Sequence, residues 1–429
     1  MPFLPRNRTL CWSLIIAGTV GVLLVGASLW ALYSSNSFAS RIAAIRAAGD
    51  PASIADLTPP SIPKEDDAAA HLAAIKPQLD AFSRDYVWFL ERTPLGKEYE
   101  AAVNAGERPT PEQTEAIRDI LAKYGDVDAA INKAAACDQY ASKLDFSLPH
   151  QQFIAAALDA WSNLRTVTRF MVWQIEVAVA DGKHDESVDK GVQILRLAQL
   201  HNAEPCLAAS LIGSAVRGLA AQKVYEALSV GPISAKTRQQ LEAELACFEK
   251  EPGYLHTLKS ERALTISAVQ ANFGGIRGLL VGWPRPVSAN LLDYYEQVLP
   301  LPRMSWHEVQ TTPSAKQALS NGPGGLASLM LPAMQAWFEA ANRTNAIMRS
   351  LRVCNALQTP AETSPGQPAS IDALGLPKEA TIDPFSGDPL IIKKRGDDWA
   401  VYSVGKDGKD DGGDIHGGKD YGVGPRGSD

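Results

Sequence analysis

The sequence predicts a mainly α-helical chain, with one N-terminal transmembrane helix, an antiparallel helical body and a small α+β module at the C-terminal end. Three observations carry that expectation. Residues 10–33 contain no charged side chain. Through the middle of the chain, apolar residues recur at three- and four-residue steps, the period of a half-buried helix. Near the end the pattern changes to short runs of β-branched and aromatic residues, the signature of strands.

The uncharged run covers about 24 positions, enough to cross a hydrocarbon core of about 30 Å as a helix. Trp12 stands near one end and Trp30 and Tyr33 at the other, where amphipathic rings favour the membrane interface. A cleaved signal would carry a shorter apolar region followed by a small-residue cleavage site, and no such site follows the run. Residues 1–9 are therefore read as a cytoplasmic tail and residues 10–33 as an anchor whose partner is the lipid bilayer. A short tail before the anchor and a large polar domain after it place the C-terminal domain outside the cytoplasm, at the cell membrane.

Residues 34–67 form the extension of the anchor and a connector stiffened by Pro59, Pro60 and Pro63. The helical body is expected over 68–325. Ile154, Leu158, Trp161, Leu164, Val167, Met171 and Ile175 mark one buried face, which ends at the turn Asp181-Gly182-Lys183. Val188, Val192, Leu195 and Ala198 resume the period. Pro205 is expected to open a third helix, where its missing N–H costs nothing, and Gly231-Pro232 to close it. Short connections between long helices make antiparallel packing the default. An apolar, glycine-rich stretch from Phe273 to Pro286 reads as a loop folded onto its own core. Residues 326–429 form the C-terminal module, with Met330, Met334, Trp337, Ala341, Ile347 and Leu351 along one side of its helix. Leu390-Ile391-Ile392 and Trp399-Ala400-Val401-Tyr402 follow as strands joined by a turn at Gly396-Asp397-Asp398.

The composition narrows the functional classes. The 429 residues are 45% hydrophobic and 21% charged, an ordinary globular balance, and the formal charge of -7 is spread along the chain. No basic patch interleaves with aromatics, so no nucleic acid is expected as a partner. Cys11, Cys137, Cys206, Cys247 and Cys354 form no C-x-x-C pair, and the four beyond the anchor read as buried free thiols. Catalytic signatures are missing too. His307-Glu308 does not continue to a second histidine, and no G-x-S-x-G elbow or phosphate-cradling glycine loop occurs. Ser61-x-x-Lys64 and Ser187-x-x-Lys190 lack the partner motifs that would give them meaning. No catalytic residue is nominated.

One stretch does carry chemistry. From Tyr402 to Ile415, Asp407, Asp410, Asp411 and Asp414 fall within eight positions among glycines that let the backbone fold tightly. Calcium takes six to eight oxygens from carboxylates and backbone carbonyls in a flexible loop, and these four aspartates can supply them. The spacing is not that of an EF-hand.

Arg349-Ser350-Leu351-Arg352 on a helix, then Asp383-Pro384-Phe385-Ser386-Gly387-Asp388-Pro389, then Tyr402-Ser403-Val404-Gly405-Lys406-Asp407-Gly408, resembles the globular end of the major pseudopilins of type II secretion. The match covers about the last fifth of the chain. It implies a turn before the sheet and a calcium loop after it, with Asp407 and Asp414 on ligand positions and Asp410 and Asp411 nearby. The prepilin cleavage site and the glutamate inside the apolar helix of a pseudopilin are absent from Arg6-Asn7-Arg8-Thr9-Leu10-Cys11. The whole chain is similar to uncharacterised bacterial single-pass proteins that join a helical body to this ending, and no activity carries over from them. The expectation is a membrane-tethered structural or interaction protein with envelope protein partners and a calcium-stabilised module. Two alternatives stay open: an envelope hydrolase with a site assembled from scattered residues, and an atypical component of a secretion apparatus.

Overall fold

A computed structural model describes residues 38–250, 253–273, 286–320, 326–358 and 371–425. Within them the chain is mainly helical and closes on a three-stranded antiparallel sheet. The expected anchor at residues 10–33 and most of the glycine-rich stretch from Phe273 to Pro286 lie outside the described residues. Among the described residues no helix is long and apolar enough to cross a membrane.

Helices α1 (Ala68–Ala74), α2 (Lys76–Arg92), α3 (Pro94–Ala105), α4 (Pro111–Ala122) and α5 (Gly125–Ala136) make the first part of the body. Local chemistry sets their ends. Thr110 and Gln113 form a capping box at the start of α4, and α3 stops at Gly106, whose φ of 83° favours glycine. Helices α6 (His150–Ala180), α7 (His184–Leu200) and α8 (Leu207–Leu228) follow as antiparallel neighbours around short turns. Then come α9 (Ala235–Lys250), α10 (Tyr254–Phe273), α11 (Pro286–Val298), α12 (Trp306–Thr311), α13 (Pro313–Ser320) and α14 (Leu326–Leu357).

The expected face of α6 holds from Trp161 to Ile175, where each named residue is buried. It fails at Leu158, which is 52% exposed. There the buried side chains are Phe153 and Ala157, one residue round the helix, packed on Phe146, Ala209 and Leu264. A 31-residue helix meets different neighbours along its length, so one stripe does not stay inward throughout. Pro205 also behaves differently from the expectation. The third helix begins at Leu207, and Cys206 caps it with φ 87° and ψ 160°, a region that side-chain-bearing residues rarely adopt. Of the four thiols, Cys137, Cys206 and Cys354 are buried and unpaired among the described residues, while Cys247 is exposed.

The proline-rich connector is held against the body. Asp67, fully buried, caps α1 through the Ala69 amide, accepts from the Ala141 amide at 3.0 Å and pairs with Lys143. Just before it, Asp50 pairs with Lys259 at 2.7 Å and Arg262 at 2.9 Å on α10. Deeper in the body, the buried Glu204 carboxylate accepts from Tyr140 at 2.8 Å, Ser142 at 2.8 Å and the Trp161 indole at 3.0 Å. Three donors around one carboxylate satisfy its burial.

His201, at the end of α7, is 4% exposed, and its Nε2 has no hydrogen-bond partner among the described residues. Burial, with the nearby Arg217 guanidinium adding to it, pushes the imidazole down to about 3. The unfolded chain binds this proton below about 6.5 while the folded chain does not, so stability falls as the pH drops through that window. One such group gives a slope of up to about 1.4 kcal/mol per pH unit. Unfolding midpoints of wild type and His201→Gln, measured from pH 7 to pH 4, should therefore converge as the pH falls. Parallel curves would show that His201 is protonated in the folded chain.

The sheet follows the expected hairpin and adds a strand. β1 (Ile391–Arg395) pairs with β2 (Asp398–Ser403) across the two-residue turn Gly396-Asp397, and β2 pairs with β3 (Tyr421–Val423) on its other edge. The expected turn residue Asp398 is the first residue of β2, opposite Arg395. Helix α14 packs on α8 and α9 of the body and on β2 and β3 of the sheet. Leu390, Val401 and Val423 thus join the same apolar core as Phe82, Trp173 and Leu245. The body and the C-terminal module meet on one shared helix.

Candidate functional site

The D-P-F-S-G-D-P turn and the acidic loop are built together. Asp383 is 1% exposed and accepts from its own turn at the Phe385 amide, 2.8 Å, and from the Val404 amide at the end of β2, 3.0 Å. Arg349 on α14 donates to the Ile382 carbonyl at 2.7 Å, tying the turn to the helix. The loop then runs from Val404 to Asp420. Two of its glycines are required by close approach. A Cβ on Gly405 would run into the Lys419 carbonyl, and one on Gly413 would sit 2.9 Å from the Tyr402 ring, both at positive φ.

The four aspartates expected to bind a metal are brought into one loop but not to one point. Asp407 accepts from the Lys409 amide at 3.1 Å, a local turn. Asp410 accepts from the Tyr402 hydroxyl at 3.0 Å and the Gly412 amide at 2.8 Å. Asp411 and Asp414 face the same Lys419 ammonium, at 3.8 Å and 3.6 Å. Arg395 from β1 donates to the Gly412 carbonyl at 2.6 Å, so cations of the hairpin and loop offset the repulsion among the carboxylates. Among the described residues no three histidine, cysteine, aspartate or glutamate side chains form a group able to hold a metal ion.

The residue that organises the loop is Asp420, which the sequence reading did not name. It is fully buried, and its Oδ2 accepts from the Gly413 amide at 2.8 Å and the Asp414 amide at 2.9 Å. Its Oδ1 is buried and has no hydrogen-bond partner among the described residues. Burial raises the Asp420 carboxyl above the usual carboxylate range against the pull of the Gly413, Asp414 and Asp411 amides, and the Asp410 charge adds to the rise. The only sequence signal for it is its place before Tyr421-Gly422-Val423, a strand too short to stand out from a glycine-rich tail.

A second feature lies where the body meets the sheet. A cleft of about 500 Å³ opens between the end of α3, the second half of α6, the end of α8 and the start of β2. On one side of it Lys223 of α8, buried, donates to Glu176 of α6 at 2.9 Å and pairs with Glu226 at 3.0 Å. Glu176 also accepts from the Tyr99 hydroxyl at 2.7 Å, which in turn accepts from the Trp173 indole at 3.1 Å. Burial works against the Lys223 charge, but Glu176 and Glu226 outweigh it and raise the ammonium above its ordinary value. On the other side stand Glu107, Arg108 and Asp398. These residues come from separate stretches of the chain, so no motif announces them.

No family model, curated protein or solved structure matches this chain.

Proposed function

We propose that this chain is a membrane-tethered interaction protein of the cell envelope. Residues 10–33 hold it in the bilayer, its folded part stands outside the cytoplasm, and its C-terminal module is of the pseudopilin type, stabilised by calcium. The observation that carries the calcium reading is the buried Oδ1 of Asp420, unpartnered among the described residues, beneath a loop of four further aspartates. A buried carboxylate oxygen without a donor costs about 1–3 kcal/mol or more, and a cation removes that cost. The donor set is all oxygen, which suits calcium and not zinc. Asp420 and Asp410 are the nearest candidates to hold the ion. Asp411 and Asp414 would join them only by leaving Lys419, and Asp407 by leaving its local turn. The pseudopilin reading is supported by the Asp383–Val404 hydrogen bond, which joins the two motifs that carry the resemblance.

One experiment tests tether and ion together. Spheroplasts carrying the full chain with a C-terminal epitope tag are treated with protease in chelator, in calcium and in magnesium. The tag and loop are cut from outside in chelator. Calcium at a hundredfold excess over its Kd adds about 2.7 kcal/mol to the folded loop, so cleavage that tracks local opening slows by about 100-fold. Magnesium protects little, because it keeps its waters and demands a tighter octahedron. Asp420→Asn removes the protection. A tag that resists protease until the cells are lysed overturns the orientation, and equal rates in chelator and calcium overturn the ion.

A further inference from the structure

The cleft between body and sheet is not part of the calcium reading, and its lining has a definite chemical character. Among the described residues, four carboxylates, Glu107, Glu176, Glu226 and Asp398, face it against two cations, Arg108 and Lys223. The floor is rigid, since Lys223 and Glu176 are each 8% exposed and fixed by hydrogen bonds to partners on neighbouring helices. Between the charged groups the walls are aliphatic, with Ile175, Val179 and Val230 lining the opening. The volume of about 500 Å³ falls within the range of small-molecule sites, about 300–1,000 Å³. A recess with low-dielectric walls and a surplus of one sign of charge focuses its field and concentrates ligands of the opposite sign.

We propose that this cleft is a binding site for an aliphatic amine, a small cation whose ammonium meets the surplus carboxylates while its methylenes lie on the valine and isoleucine walls. Asp398 comes from the sheet, while Glu107, Glu176 and Glu226 come from the body, so an occupant carrying two ammonium groups can bridge the two parts. Burial and the neighbouring Asp397 raise the Asp398 carboxyl, with Arg108 acting against them, which is the response of an acid short of positive charge. An ammonium in the cleft supplies that charge. Dicarboxylates of the same length meet four like charges and are rejected.

The test uses the full chain in detergent with chelator present, so that calcium at the C-terminal loop does not contribute. Hexane-1,6-diamine, adipate and hexane-1,6-diol are titrated by calorimetry. The diamine binds with one site per chain, and the diol and adipate do not bind at the same concentrations. Glu226→Gln and Asp398→Asn each weaken diamine binding by about 5–10-fold, a loss of about 1–1.4 kcal/mol, and Arg108→Gln tightens it. Asp159→Asn, far from the cleft on an exposed turn of α6, leaves the affinity unchanged. The proposal is overturned if adipate binds in preference, if no diamine binding is seen at millimolar concentration, or if Asp159→Asn weakens binding as much as the cleft variants do. The last result would mean diffuse attraction to a chain of net charge -7.

Discussion

Lys223→Met should lower the stability of the full chain by about 3–5 kcal/mol, because it strips the cation from a carboxylate that stays buried. Glu176 keeps the Tyr99 hydroxyl as a donor but loses the Lys223 ammonium at 2.9 Å. Methionine matches the length of the lysine stem, so the loss reads charge and not packing. Adding Glu176→Gln to Lys223→Met should return most of that loss. The amide is neutral, and its oxygen still accepts from Tyr99. Chemical unfolding of the single and double variants measures this directly. A single variant within about 1 kcal/mol of wild type would mean that solvent in the cleft screens the pair as it screens a surface one. A double variant as weak as the single would mean that the lysine acts through packing.

The aromatic cluster beside this pair gives the other large effect. Trp173 is 1% exposed and stands edge-on to Phe82 and Phe89, with ring centroids 5.6 Å and 5.7 Å away, and lies 4.7 Å from the Tyr86 ring. Trp173→Ala should cost about 3–5 kcal/mol, the loss of a large buried ring plus the cavity it leaves. Trp173→Phe should cost clearly less, since a ring still fills most of the space and the lost indole donor is one hydrogen bond to Tyr99, worth about 1 kcal/mol. The comparison is read from unfolding curves and from the near-ultraviolet circular dichroism of the folded chain. An alanine variant no worse than the phenylalanine one would show that α2, α3 and α6 close the gap by shifting together.

Different kinds of information fix different parts of this chain. Helices with one dry face were legible because their pattern is local. Trp161 to Ile175, Val188 to Ala198, and Met334 to Leu351 each repeat an apolar residue at the helical period, and every one of those helices is present. The first hairpin was legible for the same reason, since Gly396-Asp397 between two β-rich runs is a local turn signal. Where a helix outruns its first neighbours, local pattern misleads. Leu158 continues the stripe in sequence but points to solvent, because the partners of α6 change along its length.

The four loop aspartates were visible as a composition, yet their roles were not. Lys419 faces Asp411 and Asp414, Tyr402 binds Asp410, and these partners are set by how the loop folds back on β2. Asp420 carries no local signal at all, because it becomes buried only when β3 adds to the sheet. The cleft is the furthest from the sequence. Glu107, Glu176, Lys223 and Asp398 sit on four separate stretches of the chain, and only the packing of α6 on α8, and of the sheet on α14 and α8, brings them to one opening. By itself the sequence determined the helical class, the apolar run at residues 10–33, the hairpin and the acidic loop, since each depends on neighbours a few residues apart. Tertiary structure alone decided which carboxylates are buried, which are paired and which face a common cavity, because desolvation and charge pairing depend on distances in space that separation along the chain does not encode.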